Sequence, residues 1–590
     1  MGPTAERPVL LTGMPGAGKS AAGRVLARLL CCEFVDLDDA YNSRFGKSPA
    51  QSIRVDGEAR FRANESTLLR ESLGEGLRVV ACGGGTLVQE SSLTLALDRG
   101  LVVWLDAPPD VLATRLGDAH RHPLLQERAG IVENTARRPA GRREKSGSGP
   151  SPGATLSRRA LEAALSSLLE ERRELYARAH RTVDTRGLSP FQVALAVAQA
   201  VEAVRGGRKK RCATSGFPAF RDVRNGREGV LPLGARSYPV RISTAAGFSG
   251  LEEFLDEVLP TTDRFVLVDE RVLGLYEQGL RRAFRSGPVR FIPLPSGEEA
   301  KSLARTEECL ERLLLAGATR TSALVAVGGG STLDAAGFAA SIYMRSIPVV
   351  HVPTTLLAAV DASIGGKNGV NLKQAKNVAG TFFQPWGVFV PGRIVAGEVD
   401  SRGSQDGAAE FIKTCLIAGE PFSRIVSFAT RDGQLRRNRL VEAIELAASC
   451  KMAIVSRDER EESGERTLLN LGHTFAHMAE TASRYRLSHG RAVAWGLVVA
   501  ARISVALGMV KAGFETEVEE LCRRFGLWPP PLELPAELLQ GPILDKKRQE
   551  GTLPLVLFDQ AGRPVVTRFA VDEARKLLLS GMSPILVPGA

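Results

Sequence analysis

The chain opens on short apolar runs separated by stretches of helical periodicity. PVLLTG is followed by a segment from Lys19 to Leu30 with apolar residues at helical spacing, then by EFVDLDD, an alternation that predicts βαβ units and a parallel sheet. RVVACGGG and LVVWLDAPP continue the strands, and LEAALSSLLEERRELYARA predicts a long amphipathic helix. Between Gln126 and Ser157 the stretch RRPAGRREKSGSGPSPGA is too poor in apolar residues to order itself and predicts a disordered insertion. A second break, RGGRKKRCATSGFPAFRDVRNGREG from Arg205 to Gly229, reads as a basic linker. Beyond it RFVLVDE, VRFIPLP, SALVAVGGG and IPVVHVP predict buried strands alternating with helices to about Pro391. From Gly407 onward the period is mostly helical. These breaks divide the chain into residues 1–204, a linker at 205–229, a mixed α/β part at 230–400 and a mainly helical part at 401–590.

A chain of 590 residues with 44% apolar and 24% charged positions cannot be organised by one core. The net charge of +11 would suit nucleic acid, but only 6% of residues are aromatic, and anionic small substrates account for the excess equally well. Nucleic acid is therefore not expected as a partner. Eight cysteines, with Cys31 and Cys32 adjacent, form no CxxC pair and no disulfide framework, which fits a reducing compartment. The start MGPTAERPVL has neither a basic n-region nor an apolar h-region, and no apolar run is long enough for a membrane span. A cytoplasmic protein without a membrane partner is expected.

GMPGAGKS, Gly13 to Ser20, satisfies GxxxxGK[ST] between a strand and a helix. Gly13, Gly16, Ala17 and Gly18 would turn backbone amides toward phosphate oxygens, Lys19 would place a charge on the transferred phosphoryl group, and Ser20 would reach magnesium. DLDD puts Asp36 and Asp38 on one side of a strand end by period-two alternation, suiting a metal and a hydroxyl. FRANE sets Arg62 and Glu65 three apart on a helix, a spacing common in surface ion pairs, and CGGG ends a strand.

In this order and spacing, GxxGxGKS, DxD, FRxxE, GGG, PLL and RxxxY resemble shikimate kinase over about residues 7–204. The resemblance implies a P-loop kinase domain with a parallel sheet, using ATP with Mg2+. Asp38 would lie near the acceptor hydroxyl, and Asp36 and Ser20 on the magnesium side. Arg62, Gly84 and Arg172 would hold the substrate, the arginines through forks that match a carboxylate. The lid departs from the family in having Arg121, His122 and Pro123 before the two leucines.

Further along, GGGSTLDAAGF follows a strand and opens a helix, so the amides around Gly330 and Ser331 can meet a pyrophosphate. VPTTLLAAVDASIGGKNGVN concentrates Thr354, Thr355, Asp361 and Lys367 on one loop-rich segment. AAEFIK sets Glu410 and Lys413 on a helix, LNLGHTFAH sets His473 and His477 four apart on another, and His489 follows in LSHG. Three of the seven histidines thus fall between His473 and His489, and one carboxylate with two imidazoles makes a zinc set open to a substrate oxygen. The HxxxH spacing also admits both of its histidines as ligands.

LPSGEEAKSL, GGGSTLD, VPTTLLAAVDASIGGK, KN, AAEFIK, RTLLNLGHTFAH, HG and DKK together resemble 3-dehydroquinate synthase across about residues 225–590. The resemblance implies an α/β NAD-binding domain followed by a mainly helical metal-binding domain, with NAD and Zn2+ or Co2+ as cofactors and a homodimer as the assembly. It assigns Glu410, His473 and His489 to the metal and His477 to substrate contact or proton handling. Asp269, Glu298, Lys301, Asp334, Thr354 and Thr355 would contact NAD, with Lys367 and Lys376 at the border of cofactor and substrate. Asp361, Asn377, Lys413, Lys451, Arg466, Asn470 and Lys546 would surround the substrate. Arg491 stands where the family commonly has an acid after HG, and Gly392 to Gly407 departs from the usual spacing before the AAE glutamate.

Overall fold

The protein is described from a computed structural model that covers residues 7–30, 32–74, 76–116, 125, 158–204, 219–261, 263–284, 289–372, 375–398, 404–483, 486–528 and 551–582. The expected disordered insertion, the lid residues Arg121 to Pro123, most of the basic linker and Lys546 lie outside them. The described residues group into two compact units, one of the residues up to Val204 with Glu257–Pro260, the other of the remaining residues from Ala219 onward.

The first unit is built on five parallel strands, β1 (Val9–Thr12), β2 (Glu33–Asp36), β3 (Arg78–Ala81), β4 (Leu101–Asp106) and β5 (Arg181–Asp184), in the order β2-β3-β1-β4-β5. Val9, Leu10 and Leu11 have no exposure, as expected of a central strand covered on both faces. Leu161, Ala164, Leu165, Leu168, Leu169, Arg172 and Tyr176 form one buried stripe on the helix Arg158–Ala177, at the three-and-four spacing of a helix face. The apolar stripe packs the helix, and its continuation carries Arg172 and Tyr176 inward.

The second unit has an eight-stranded sheet ordered β10-β9-β11-β12-β15-β8-β7-β6. Its strands are β6 (Arg221–Val223), β7 (Gly226–Leu231), β8 (Tyr238–Ser243), β9 (Arg264–Asp269), β10 (Arg290–Leu294), β11 (Ala323–Gly328), β12 (Val349–Pro353) and β15 (Gly387–Pro391), with the hairpin β13 (Lys367–Leu372) and β14 (Ala375–Phe382) apart from it. The strands from β10 through β8 run parallel, while β7 and β6 add an antiparallel edge.

That edge corrects the linker boundary, because β6 and the first part of β7 fall inside the stretch read as linker to Gly229. Arg224 and Asn225, the latter with φ of 59°, form a two-residue turn between the paired residues Val223 and Gly226, a hairpin signal the surrounding arginines obscured.

The C-terminal part is helical as expected except for a hairpin of its own, β16 (Thr552–Phe558) with β17 (Pro564–Ala570). TLPLVLF is short and apolar and is turned back at Asp559 to Gly562, where the Gly562 amide donates to the Asp559 carbonyl at 2.8 Å. No helix among the described residues is long and apolar enough to cross a membrane.

Candidate active sites

In the first unit β2, β3 and β1 are neighbours, so the chain segments leaving Asp36, Ala81 and Thr12 emerge side by side. The loop after β1 turns with Gly13, Gly16 and Gly18 at φ of 140°, 81° and 87°. A Cβ on Gly13 would stand 2.5 Å from the Leu105 carbonyl oxygen, so close approach to β4 requires glycine there. The Ala17 amide donates to the Met14 carbonyl at 3.1 Å, and Lys19 Nζ donates to the carbonyls of Gly13 and Met14 at 2.9 and 3.0 Å. Burial lowers the Lys19 pKa, opposed by Asp38, Cys82 and Asp36. Ser20 is the second residue of the helix Lys19–Leu30, where helix and loop amides converge on one anion-binding end.

Asp36 and Asp38 come together by a different route from the one the alternation predicts. The strand ends at Asp36, whose carboxylate caps the helix Leu37–Phe45 by accepting the Asp38 amide at 3.1 Å, so Asp38 is helical. An aspartate is a strong N-cap, and that preference breaks the strand. Burial first, then the charge of Asp36, raises the Asp38 carboxyl to about 6, against the pull of Lys19.

The Arg62 and Glu65 pair is a pocket wall rather than a surface ion pair. Arg62 Nη1 donates to Glu65 Oε2 at 2.7 Å, and the Thr86 hydroxyl donates to Glu65 Oε1 at 2.6 Å. The glycine run makes room for them: a Cβ on Gly83 would lie 2.9 Å from Asp38 Oδ1, and one on Gly85 would lie 2.8 Å from both Arg62 Nη atoms. The Gly84 carbonyl accepts Arg172 Nη1 at 2.6 Å and the Tyr176 hydroxyl at 2.7 Å. Lys19, Asp36, Asp38, Arg62, Gly84 and Arg172 therefore surround one site. Thr86 was not singled out in the sequence, and Tyr176, the tyrosine of RxxxY one helical turn beyond Arg172, was given no role of its own there.

In the second unit the helix Ser404–Ile417 is buried along most of its length and carries Glu410 and Lys413 on one face. Glu410 Oε1 is 3.2 Å from His473 Nε2 and 3.3 Å from His489 Nε2. All three ligand atoms lie within 4.8 Å of one another. Two imidazole nitrogens and one carboxylate oxygen are a donor set that suits Zn2+ or Co2+. His473 Nδ1 faces the Leu471 carbonyl at 3.2 Å and His489 Nδ1 faces Glu480 Oε1 at 3.1 Å, so in each ring Nε2 is left for the cation.

Burial alone would raise the Glu410 carboxyl, yet Lys413 and His473 hold it well below its usual range. Lys413 pairs with Glu410 Oε2, and Lys451 Nζ donates to both the carbonyl and Oδ1 of Asp361 at 2.6 Å. Burial lowers Lys451, against the nearby Asp361. His477 lies one turn beyond His473, their ring centroids 5.7 Å apart.

A second group lines the ends of β9, β11 and β12, which are adjacent in the sheet. Asp269 closes β9 and accepts the amides of Arg271 and Val272 and the Ser296 hydroxyl, the last at 2.7 Å. Glu298 accepts the Ser331 hydroxyl at 3.0 Å and Asn371 Nδ2 at 2.6 Å. Lys301 Nζ bridges Asp334 Oδ2 at 2.7 Å and Asn377 Oδ1 at 2.6 Å. Gly330 begins the helix Gly330–Ile342, and buried Thr354 and partly buried Thr355 follow β12. These residues form one strip of hydroxyls, amides and charges at a strand-end crevice, the usual place for a dinucleotide in an open α/β sheet. Lys376 neighbours Asn377, and its charge acts on Glu298.

Two expected substrate residues point elsewhere. Lys367 Nζ is paired with Glu461 Oε2 at 2.7 Å, and buried Arg466 donates to the carbonyls of Glu459 and Gly365, the latter at 2.7 Å. Asn470 ends a short 3-10 turn, Glu465–Asn470, just before the His473 helix. Sequence reading missed Glu480, Asp406, Ser296, Asn371 and Glu461. Glu480 had a signal, since it is two helical turns beyond His473.

Comparison with known proteins gives residues 15–202 as shikimate kinase, residues 291–401 as 3-dehydroquinate synthase N-terminal and residues 407–548 as 3-dehydroquinate synthase C-terminal. A 3-dehydroquinate synthase of Halorhodospira halophila is 40% identical over 349 residues, covering 58% of this chain and 96% of that protein. One from Pseudomonas fluorescens is 38% identical over 341 residues, covering 57% and 92% respectively. Among solved structures, 2-deoxy-scyllo-inosose synthase complexed with carbaglucose-6-phosphate, NAD+ and Co2+ matches with a TM-score of 0.54 and 25% identity, over 60% of this chain and 99% of that one.

Proposed function

The chain belongs to the 3-dehydroquinate synthase family and carries a shikimate kinase domain ahead of it, and from this we propose two reactions of aromatic amino acid biosynthesis on one polypeptide. The first unit transfers the γ-phosphoryl group of ATP to a hydroxyl of shikimate, giving 3-phosphoshikimate and ADP. The second cyclises 3-deoxy-D-arabino-heptulosonate 7-phosphate to 3-dehydroquinate with release of phosphate.

In the kinase, the amides of Gly13 to Ser20 and Lys19 hold the triphosphate, and Asp36 and Ser20 would hold its magnesium. Asp38 orients the acceptor hydroxyl and takes its proton, while Arg62, Arg172 and the Gly84 backbone grip the carboxylate. Positioning and charge neutralisation carry most of the acceleration.

In the synthase, Glu410, His473 and His489 would hold Zn2+ or Co2+, and the strip from Asp269 to Thr355 would hold NAD. When bound, the cation would supply Lewis acidity toward a substrate hydroxyl and NAD a reversible hydride acceptor. Lys413, Lys451 and Asp361 fix the hydroxyls and carboxylate, and His477 lies within reach for proton handling. Lys367, Lys376, Arg466 and Lys546 would supply the positive charge that eases phosphate departure, with the side-chain amides of Asn377 and Asn470 as neutral hydrogen-bond partners. Lys367 and Arg466 reach the substrate only by leaving the partners that now hold them.

The observation that carries the synthase reading is the convergence of the part-buried His473 and His489 on buried Glu410 beside Lys413. Purified protein is expected to form dehydroquinate with NAD and Zn2+ or Co2+, and to phosphorylate shikimate with ATP and Mg2+. A sound synthase rate with no kinase turnover would leave only the synthase half of the proposal. No turnover of the heptulosonate phosphate, with turnover of a hexose phosphate instead, would move the second unit to the related cyclases.

A cytoplasmic homodimer through the second unit belongs to the same proposal. Ile342, Leu372, Val378 and Phe382, on the β13–β14 hairpin and the adjoining helix end, are 42%, 42%, 50% and 45% exposed and would be covered in it. Sedimentation equilibrium at twice the chain mass is the expected result, and a monomer at micromolar concentration would refute it.

A further inference from the structure

His489 is the first residue of the helix His489–Ala506, and that helix start has no cap of its own. Ser488 stands at the N-cap without a side-chain cap bond, and there is no acid in the first turn. The missing carboxylate comes from another helix, for Asp406 Oδ1 accepts the Gly490 amide at 2.5 Å. Asp406 and Glu410 are four apart on the helix Ser404–Ile417, so one helix face binds the main chain beside His489 and also supplies the carboxylate facing its ring. Gly490 permits the contact, because a Cβ there would stand 2.4 Å from the Gln405 carbonyl and 2.6 Å from the Asp406 Cα.

The ring is fixed separately. Glu480 Oε1 faces His489 Nδ1 at 3.1 Å, and Glu480, on the helix His473–Ala482, has a side chain only 12% exposed. His473 differs in being oriented by a main-chain carbonyl, that of Leu471. His489 is the ligand whose placement depends on two replaceable carboxylates.

We propose that Asp406 and Glu480 are positioning residues of His489, Asp406 setting its distance from Glu410 and Glu480 setting the rotation and tautomer of its ring for a divalent cation. The proposal rests on the metal site described above. A preset tautomer and ring orientation cost nothing at the moment of binding, so the two acids act on metal affinity before they act on turnover.

The test is competition of the full-length protein with a chromogenic chelator for Zn2+, alongside the visible spectrum of the Co2+ form. Wild type is expected to bind one tight equivalent per chain, and His473→Ala to lose it. Glu480→Gln, which keeps an acceptor but not the charge, should weaken binding roughly 10-fold, and Glu480→Ala up to about 100-fold with altered Co2+ bands. Asp406→Ala should weaken it roughly 10-fold as the helix start relaxes. Should Glu480→Ala fail to fold, Glu480→Gln decides. Wild type without a tight equivalent would overturn the metal site itself. Wild type that binds, with all three variants within twofold of it and unchanged Co2+ bands, would overturn the roles of Asp406 and Glu480 alone.

Discussion

Asp38 shows how one residue's surroundings set a pH limit. Its carboxyl is raised to about 6 by burial and by Asp36, and the role proposed for it, taking the shikimate proton, requires it to be ionised. The kinase kcat/KM is therefore expected to fall about tenfold per pH unit below pH ~6, while the synthase profile need not share that limb. A kinase profile flat down to pH 5 would remove Asp38 from the role of base. Buried His351 gives the opposite kind of limit. Its pKa is lowered to about 4 by burial, so the folded state resists a proton that the unfolded chain accepts near pH 6.5. Stability from this residue is present above pH ~6.5 and is lost as pH falls toward 4, by about 2 kcal/mol between pH 7.5 and 5. Urea midpoints at those two pH values should separate in wild type and draw together in His351→Gln. None of this was visible in the sequence, where His351 sits in an ordinary apolar strand and DLDD reads as alternation. Burial and neighbouring charge are properties of the fold.

At the scale of elements, what could be read depended on how local the signal was. The loop from Gly13 to Ser20 keeps its parts within one turn, so spacing alone placed it, and the helix period likewise put Glu410 beside Lys413. Contacts between distant elements left no such mark: Gly490 touches Asp406 because two helix starts meet, and no spacing in the chain records it. The hairpin turned at Arg224 and Asn225 was legible in principle but lay inside an arginine-rich stretch that composition assigned to linker. The β16–β17 hairpin was missed because short apolar runs suit helix and strand alike. The glycine contacts yield a direct test. Gly85→Ala brings a methyl within 2.8 Å of the Arg62 guanidinium, and its KM for shikimate is expected to rise at least tenfold with synthase turnover unchanged. An unaltered KM would show that Arg62 can yield without losing its hold.

Over the whole molecule, the two sheets share no strand among the described residues, and the buried clusters beneath them share no side chain. Lys19→Ala should abolish phosphorylation and leave dehydroquinate formation intact, and His473→Ala the reverse; loss of both activities in either variant would contradict independent sites. In the proposed assignment the synthase product, 3-dehydroquinate, is not the kinase substrate, shikimate, so the fusion would have no intermediate to hand across. Separate cores have a genetic consequence. Two copies of the gene, each disabled in a different half, should complement one another in a single cell. Selection can then tolerate and tune a lesion in one half without exposing the other, as though two genes had been inherited under one start codon.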